Sequence, residues 1–319
     1  MNKILEKKDN LQKVIVMTGP TASGKTDWSL RFAKKYNGDI ISADSRQVYK
    51  KMDIGTAKEP GTWEWSANWQ GLRRTYHIEE VPHHLIDFLD PGKRFTAAEF
   101  RDQSLKYIKL AFKQNKQPMV VGGTGLYISS LVNNFTIPRV EANKKLRKSL
   151  EEKSEEDLLA LLKNLDIVTA EKIDSKNKRR LIRALEVCIL TGEPFSDQKK
   201  QGEQLYDFLQ IGVKVEKNIL YERINKRVDG MIEKGLLEEI KSLLKQKYSW
   251  DLPSMSGIGY KQFKPYFEGK CSVEEALEIL KRDTRRYAKR QMTWFKRDKN
   301  IIWCETYDEA EKIMKAFIS

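Results

Sequence analysis

The sequence has no hydrophobic run approaching the ~18 residues that a membrane-crossing helix requires. Its opening, Met1-Asn2-Lys3-Ile4-Leu5-Glu6-Lys7-Lys8-Asp9, lacks the apolar core and small-residue cleavage site of a secretory signal. No membrane partner is expected. Cysteine is scarce: Cys188, Cys271 and Cys304 are scattered and odd in number, which excludes a disulfide framework and a CxxC zinc pair. A reducing, cytoplasmic setting is the expectation. Histidine is equally scarce. The only pair, His83-His84 near Asp87 and Asp90, points its rings to different sides of any strand or helix, so a shared metal is not expected. Internal repeats and low-complexity tracts are also missing.

What remains is a well-supplied globular chain. At 319 residues it suits about two domains, and 40% hydrophobic content is enough for a sizeable core, which excludes a mostly disordered chain. Lys and Arg exceed Asp and Glu by 59 to 45, a net charge of +14. Such a surplus points to a polyanionic partner, nucleic acid first; lysine enrichment for solubility is the competing reading.

The first half alternates strand and helix. Val14–Met17 is a short β-branched run, 19–26 is rich in Gly and Ser, and Asp27–Tyr36 has helical spacing that stops at Asn37-Gly38. Asp39–Ala43 reads as a second strand, Ala97–Gln114 as a helix and Met119–Val121 as a third strand. This alternation predicts an α/β fold, a parallel sheet flanked by helices. After Pro138 the apolar residues recur at three and four, so 138–205 is expected to be an all-helical insertion between core segments 1–137 and 206–319. Phe208–Val215 reads as a returning strand. Helices are expected at 218–246, 256–267 and 273–297, then a strand at Ile301–Trp303 and a last helix from Asp308.

The strongest motif is Gly19-Pro20-Thr21-Ala22-Ser23-Gly24-Lys25-Thr26, a GxxxxGK[ST] loop between a strand and a helix. Its glycines let backbone N–H groups face a phosphate, and the helix N-terminus adds its dipole. Lys25 supplies a point charge, and the Thr26 hydroxyl is a candidate Mg²⁺ ligand. Asp44, just past the second strand, lies where open α/β sheets bind ligands; it is read either as a proton acceptor or as a cap for the next turn. Gly122-Gly123-Thr124-Gly125 implies a close backbone approach, to a ligand or within a tight turn.

Basic clusters follow. Residues 281–299 carry nine Lys or Arg against two Asp. There Arg282, Arg286 and Lys289 share one helical face, whereas Tyr287, Gln291 and Trp294 share a neighbouring face suited to packing inward. Residues 176–183 form a second cluster. Both suit phosphates, or simply a solvated helix face. Arg223 and Arg227, four apart, reach either an anion in the cleft or nearby acidic side chains. Trp63, Trp65, Trp69 and Tyr76 beside Arg73 and Arg74 are expected to bury one another as a satellite cluster, with base stacking the sharper alternative.

Taken together, GPTASGKT (19–26), SADSRQVYKKMDIGTAK (42–58), PHHLIDFLDP (82–91), VVGGTGLYI (120–128), RRLIRALEV (179–187), ERINKRVDGMIEKGLLEEI (222–240), PSMSGIGYKQ (253–262) and YAKRQMTWFKRD (287–298) resemble the tRNA dimethylallyltransferase family, also called tRNA isopentenyltransferases. The matches run in the family's order along nearly the whole chain. The resemblance implies a P-loop NTPase-like core with a helical insertion gripping the anticodon stem-loop, a Mg²⁺ requirement and a monomer. It implies transfer of a dimethylallyl group from dimethylallyl diphosphate to N6 of the adenosine beside the anticodon (position 37), releasing diphosphate.

By the same resemblance, Gly19 to Thr26 cradle the donor's diphosphate rather than ATP, with Thr26 and Arg227 acting on the leaving group and Asp44 at the N6 amine. Ser45, Arg46, Gln47, Thr124, Arg147, Arg179, Arg180, Leu181, Ile182 and Arg183 are implied tRNA contacts, as are Ser256, Gly257, Ile258, Gly259, Tyr260 and Lys261. Two departures stand out. Residues 59–81 are longer than bacterial enzymes of this kind lead one to expect, and Ser256 stands where relatives often carry a basic residue, which leaves one RNA contact without its charge. The competing functions are an adenylate dimethylallyltransferase, a P-loop small-molecule kinase and a non-enzymatic RNA-binding module.

Overall fold

The computed structural model describes residues 11–68, 71–198 and 201–319. In chain order the elements are β1 (Lys13–Thr18), α1 (Lys25–Lys35), β2 (Gly38–Ser42), β3 (Thr62–Asn68), β4 (Gly71–Ile78), β5 (Val81–His84), α2 (Ala97–Lys113), β6 (Gln117–Gly122) and α3 (Gly125–Val132). The helices α4 (Lys144–Glu151), α5 (Glu155–Leu165), α6 (Ile167–Lys172), α7 (Lys178–Thr191) and α8 (Phe195–Gln198) follow. The chain closes with β7 (Asp207–Val213), α9 (Lys217–Glu233), α10 (Leu236–Lys245), α11 (Lys264–Phe267), α12 (Val273–Phe295), β8 (Ile301–Cys304) and α13 (Tyr307–Ile318). They form two compact units, one of residues 1–128 and 205–319, the other of 129–204.

The first unit is built on an eight-stranded sheet, order β3-β4-β5-β2-β6-β1-β7-β8. From β5 to β8 every pairing is parallel. Ile15 and Met17 of β1 share a buried cluster with Leu30, Phe32 and Ala33 of α1 and with Ala310, Met314 and Phe317 of α13. The intervening Val14 and Val16 are also fully buried, so by strand alternation they face the opposite layer. That double burial explains why β1 reads as an unbroken apolar run. α1 stops where Asn37 turns left-handed (φ 51), and α7 stops at Gly192, left-handed at φ 76.

Three expectations need correction. The aromatic stretch is not a self-contained loop: β3 and β4 pair antiparallel, β4 pairs antiparallel with β5, and together they extend the sheet. The sheet is therefore mixed rather than purely parallel. The strict polar–aromatic alternation Thr62-Trp63-Glu64-Trp65, with Thr and Trp both favouring strands, drives this. Trp63 turns in, with its indole N–H donating to Asp87 (2.9 Å) and its ring edge-on to Tyr76. Trp65 turns out, 64% exposed, with the Arg74 guanidinium 5.6 Å from its ring. Trp69 and the side chain of Arg73 lie outside the described residues. Second, the helix expected at 218–246 breaks at Gly235 (φ 92), giving α9 and α10. Third, 256–267 is largely turns, with one 3₁₀ turn at Lys261–Phe263 before α11.

The second unit is helical. Leu150, Leu158, Leu162, Leu181 and Leu185 form its core, over a fully buried Glu186 that accepts two hydrogen bonds from Arg147 (2.8 and 2.6 Å), one from Arg183 (2.7 Å) and one from the Asn143 N–H (2.8 Å). Burial alone pushes this carboxyl up, but the two guanidinium groups overcome it and hold it down to about 2.

Candidate active site

The phosphate loop is shaped by its backbone. Ala22 (φ 62) and Gly24 (φ 91) are both left-handed, and at Gly24 a side chain would impose strain although there is room for it. This alternation turns successive N–H groups to one side, the concave nest that binds anions. The Thr21 N–H donates to Gln291 and the Ser23 N–H to Pro20. Among the described residues, the N–H groups of Ala22, Gly24, Lys25 and Thr26 have no acceptor. The Ser23 hydroxyl is buried with no hydrogen-bond partner at all. Buried hydroxyls without a partner are rare, and an anion seated in the nest would satisfy this one.

Two cations face the same place. Lys25, whose ammonium donates to the Pro20 carbonyl at 3.2 Å, is lowered to about 8. Burial is the main cause; Asp44 opposes it and Arg227 adds to it. Arg227 projects from α9 one turn beyond Arg223, and is itself lowered by burial against a raising effect of Glu59. Arg227 is nevertheless exposed to solvent. Arg223 has no such coupling to Lys25. Lysine carries its charge below its pKa, so an unliganded Lys25 loses its charge as pH rises through about 8. Affinity for a diphosphate donor, measured by calorimetry, is expected to be flat from pH 6.5 to 7.5. It then weakens toward about tenfold per pH unit above pH 8, the limit for losing one required proton; constant affinity up to pH 9.5 would contradict the placement of Lys25.

Asp44 fills the capping role that its position permits and keeps one carboxylate oxygen open. Its Oδ1 accepts the N–H groups of Arg46 (2.8 Å) and Gln47 (3.3 Å), capping the turn that follows β2. Its Oδ2 has no hydrogen bond among the described residues. Electrostatically it is felt by Lys25, by Tyr127 and by Tyr287 of α12, whose phenol is raised chiefly by burial and then by Asp44. Thr124 locks the neighbouring loop in place: its Oγ1 accepts the Ser45 N–H at 3.0 Å, and its own N–H donates to Ala43.

The other expected contacts divide by burial. Arg46 is tied to the Pro253 carbonyl at 2.6 Å, which sets Ser256, Gly257, Ile258 and Lys261 beside the Asp44 turn. Ser256 and Lys261 are exposed. Tyr260 is not available: it is 1% exposed, and its hydroxyl donates to Glu239. Gly259 is buried with it. Gln47 already spends its amide N–H groups on Thr56 and Ala57, leaving only its oxygen open. In the second unit Leu181 and Ile182 are core residues, 0% and 6% exposed, so their side chains support the surface from beneath. Arg147 and Arg183 are committed to Glu186, whereas Arg179 and Arg180 are exposed.

Two residues of consequence carried no role in the sequence reading. Glu239 accepts three successive N–H groups, Asp53 to Gly55, and fixes that loop. Gln291 was expected only to pack inward; it bonds the 19–26 loop and the loop after β6. His83 is buried and lowered to about 4, and His84 donates to Asp39.

Comparison with known proteins identifies the family of the chain. The IPP transferase family model matches residues 47–298. The tRNA dimethylallyltransferase of Acetivibrio thermocellus is 45% identical over 314 residues, 96% of each chain, and that of Ligilactobacillus salivarius is 43% identical over 313, covering 96% of this chain and 97% of its own. A full-length tRNA isopentenylpyrophosphate transferase from Bacillus halodurans superimposes with a TM-score of 0.68 at 37% identity, over 96% of this chain and 97% of that one. A eukaryotic dimethylallyltransferase acting on tRNA gives 0.74 at 29% identity, over 96% and 77%. The core sheet is that of the P-loop NTPase-like fold these neighbours share. Matched by the family model over residues 47–298 and by curated relatives and solved neighbours over nearly the full length, the chain belongs to the IPP transferase family, the tRNA dimethylallyltransferases.

Proposed function

We propose that the chain transfers a dimethylallyl group from dimethylallyl diphosphate to N6 of the adenosine at position 37 of tRNA. The N6 lone pair attacks the primary carbon of the donor, the carbon–oxygen bond to diphosphate breaks, and one N6 proton is lost. The observation that carries this reading is the anion nest of 19–26, with its orphaned Ser23 hydroxyl, sharing one site with Lys25, Arg227 and an open carboxylate oxygen on Asp44. Diphosphate departure builds negative charge, and donors already aimed at that position lower the barrier. Asp44 Oδ2 accepts the proton or aligns the amine, which is a poor nucleophile that depends on orientation.

Mg²⁺ fits the residues present. No cluster of three acidic, His or Cys side chains suited to a metal exists among the described residues. The Thr26 hydroxyl, free of a partner there, is a hard oxygen donor; a magnesium ion held by one protein oxygen and the substrate's phosphates is a common arrangement. When bound, the ion would neutralise diphosphate charge.

The acceptor side is read from surface charge. Arg282, Arg286 and Lys289 of α12 are exposed on one face, and Arg179 and Arg180 are exposed on α7. Phosphates of an anticodon stem-loop suit both, since an A-form stem is held by shape and backbone while loop bases are read individually. The target adenine must leave the loop stack to reach Asp44. We place the chain in the cytoplasm and read it as a monomer. The donor is tested by calorimetry with dimethylallyl diphosphate and with ATP, alongside an ATP-consumption assay. Tight donor binding without ATP turnover supports the proposal; ATP turnover with no response to the donor returns the chain to the kinases.

A further inference from the structure

Helix α12 carries two faces with different tasks. Its outer face is basic. Its inner face presents Tyr287, Gln291 and Trp294, at spacings of four and three, toward the catalytic loops. Tyr287 is close enough to feel Asp44, and Trp294 packs over Gly125. Gln291 lies between them and is 7% exposed. Its Oε1 accepts the Thr21 N–H at 2.8 Å, and its Nε2 donates to the Gly123 carbonyl, also at 2.8 Å.

From this geometry we propose that Gln291 is a positioning residue for the transfer step. Its single primary amide clamps the loop that holds the diphosphate to the loop that follows β6. The proposal rests on the functional reading above and deepens it. Thr21 immediately precedes the left-handed Ala22, so fixing its N–H fixes the direction in which the nest of free N–H groups opens. The Gly123 carbonyl immediately precedes Thr124, whose hydroxyl orients the Asp44–Gln47 turn. One side chain thereby sets the distance between the leaving group and the group that handles the attacking amine.

The chemistry requires a primary amide. Accepting from one loop and donating to the other at once is beyond a carboxylate, which has no donor, and beyond a thioether, which has neither strong group. Gly123 fits the same account. A Cβ there would run into Gln291 Nε2, although its backbone is not left-handed and would tolerate alanine. The glycine is needed because the amide must approach the chain closely.

The test compares Gln291→Met, Gln291→Glu and Gly123→Ala with the double variant Gly123→Ala/Gln291→Met. Turnover is normalised to active sites counted by binding of dimethylallyl diphosphate. Misplacement by about 1 Å costs on the order of 10²-fold in rate, so kcat per active site is expected to fall by about that factor in each single variant. KM for tRNA should stay within about threefold. The double variant should be no slower than Gly123→Ala alone, because both changes break one contact. A merely structural glutamine would reduce the folded fraction and the melting temperature and leave kcat per active site unchanged; that result overturns the proposal. So do a raised KM for tRNA with normal kcat, which makes Gln291 an RNA contact, and multiplying effects in the double variant. Should Gln291→Met fail to fold, the near-isosteric Gln291→Glu and the distal Gly123→Ala still decide the matter. Absence of transfer by the unaltered protein would instead refute the functional reading.

Discussion

Replacing Asp44 by alanine is expected to reduce turnover by about 10²–10⁴-fold, the usual contribution of a positioned acid–base group, while tRNA affinity stays within about threefold of the unaltered protein. The structure sharpens the experiment, because Asp44 works with both oxygens. Oδ1 caps the turn through Arg46 and Gln47; Oδ2 is open. Alanine removes both functions. Asparagine keeps an oxygen for the cap and replaces the open oxygen with an amide nitrogen, which cannot accept from the adenine amine. Asp44→Asn should therefore be as slow as Asp44→Ala and more stable than it. Near-normal turnover in Asp44→Asn would mean that the residue serves only as a cap.

The second large effect is on folding. Arg147→Met together with Arg183→Met leaves the Glu186 carboxylate buried with no cation beside it. Stripping the partners from a buried charge costs about 3–5 kcal/mol, so the melting transition should fall markedly by calorimetry. Adding Glu186→Gln to the pair should recover much of the loss, since the amide has no charge to bury. The pH dependence has a defined sign. Glu186 is held at about 2, below the ordinary carboxyl value of 4.5; its stabilising contribution is fully present above pH 4.5 and is lost as pH falls through about 2. Exposed Arg180 behaves differently: Arg180→Ala should raise KM for tRNA several-fold with no change in melting, as expected for a phosphate contact. Unchanged melting in the double arginine variant would show that the internal network carries no weight and that both arginines are free for RNA.

These two predictions mark what was legible in the sequence. The loop at 19–26, its flanking strand and helix, and the stop at Asn37 could be read directly, because each depends on local chemistry: glycine at positive φ, an apolar run, a terminator. The Arg147–Glu186–Arg183 network could not. A motif match assigns a role to a position without saying which way the side chain turns. For the same reason Leu181, Ile182 and Tyr260 were expected at an RNA surface and proved to be core. The β3–β4 hairpin was readable from the alternation Thr62-Trp63-Glu64-Trp65, but aromatics beside arginines drew attention to their surfaces rather than their period. Gln291 lay beyond the reach of sequence. Its inward face follows from helical spacing, but its partners are backbone groups of Thr21 and Gly123, 270 and 168 residues away, and backbone groups leave no mark in residue type.

The net charge of +14 is unevenly distributed. At the proposed diphosphate site it is sparse and placed, with Lys25 and Arg227 beside the nest. Outside, on α12 and α7, it is plentiful and exposed, where it is worth little to folding and much to association with a polyanion.

The proposed acceptor is an adenosine within tRNA. Unmodified tRNA and free AMP are offered separately to the protein with dimethylallyl diphosphate and Mg²⁺, the products are digested and the nucleosides weighed. N6-dimethylallyl adenosine is expected from tRNA, confined to the residue beside the anticodon, and none from AMP. Product from AMP alone would contradict it and make the exposed arginines of α7 and α12 a solvated surface.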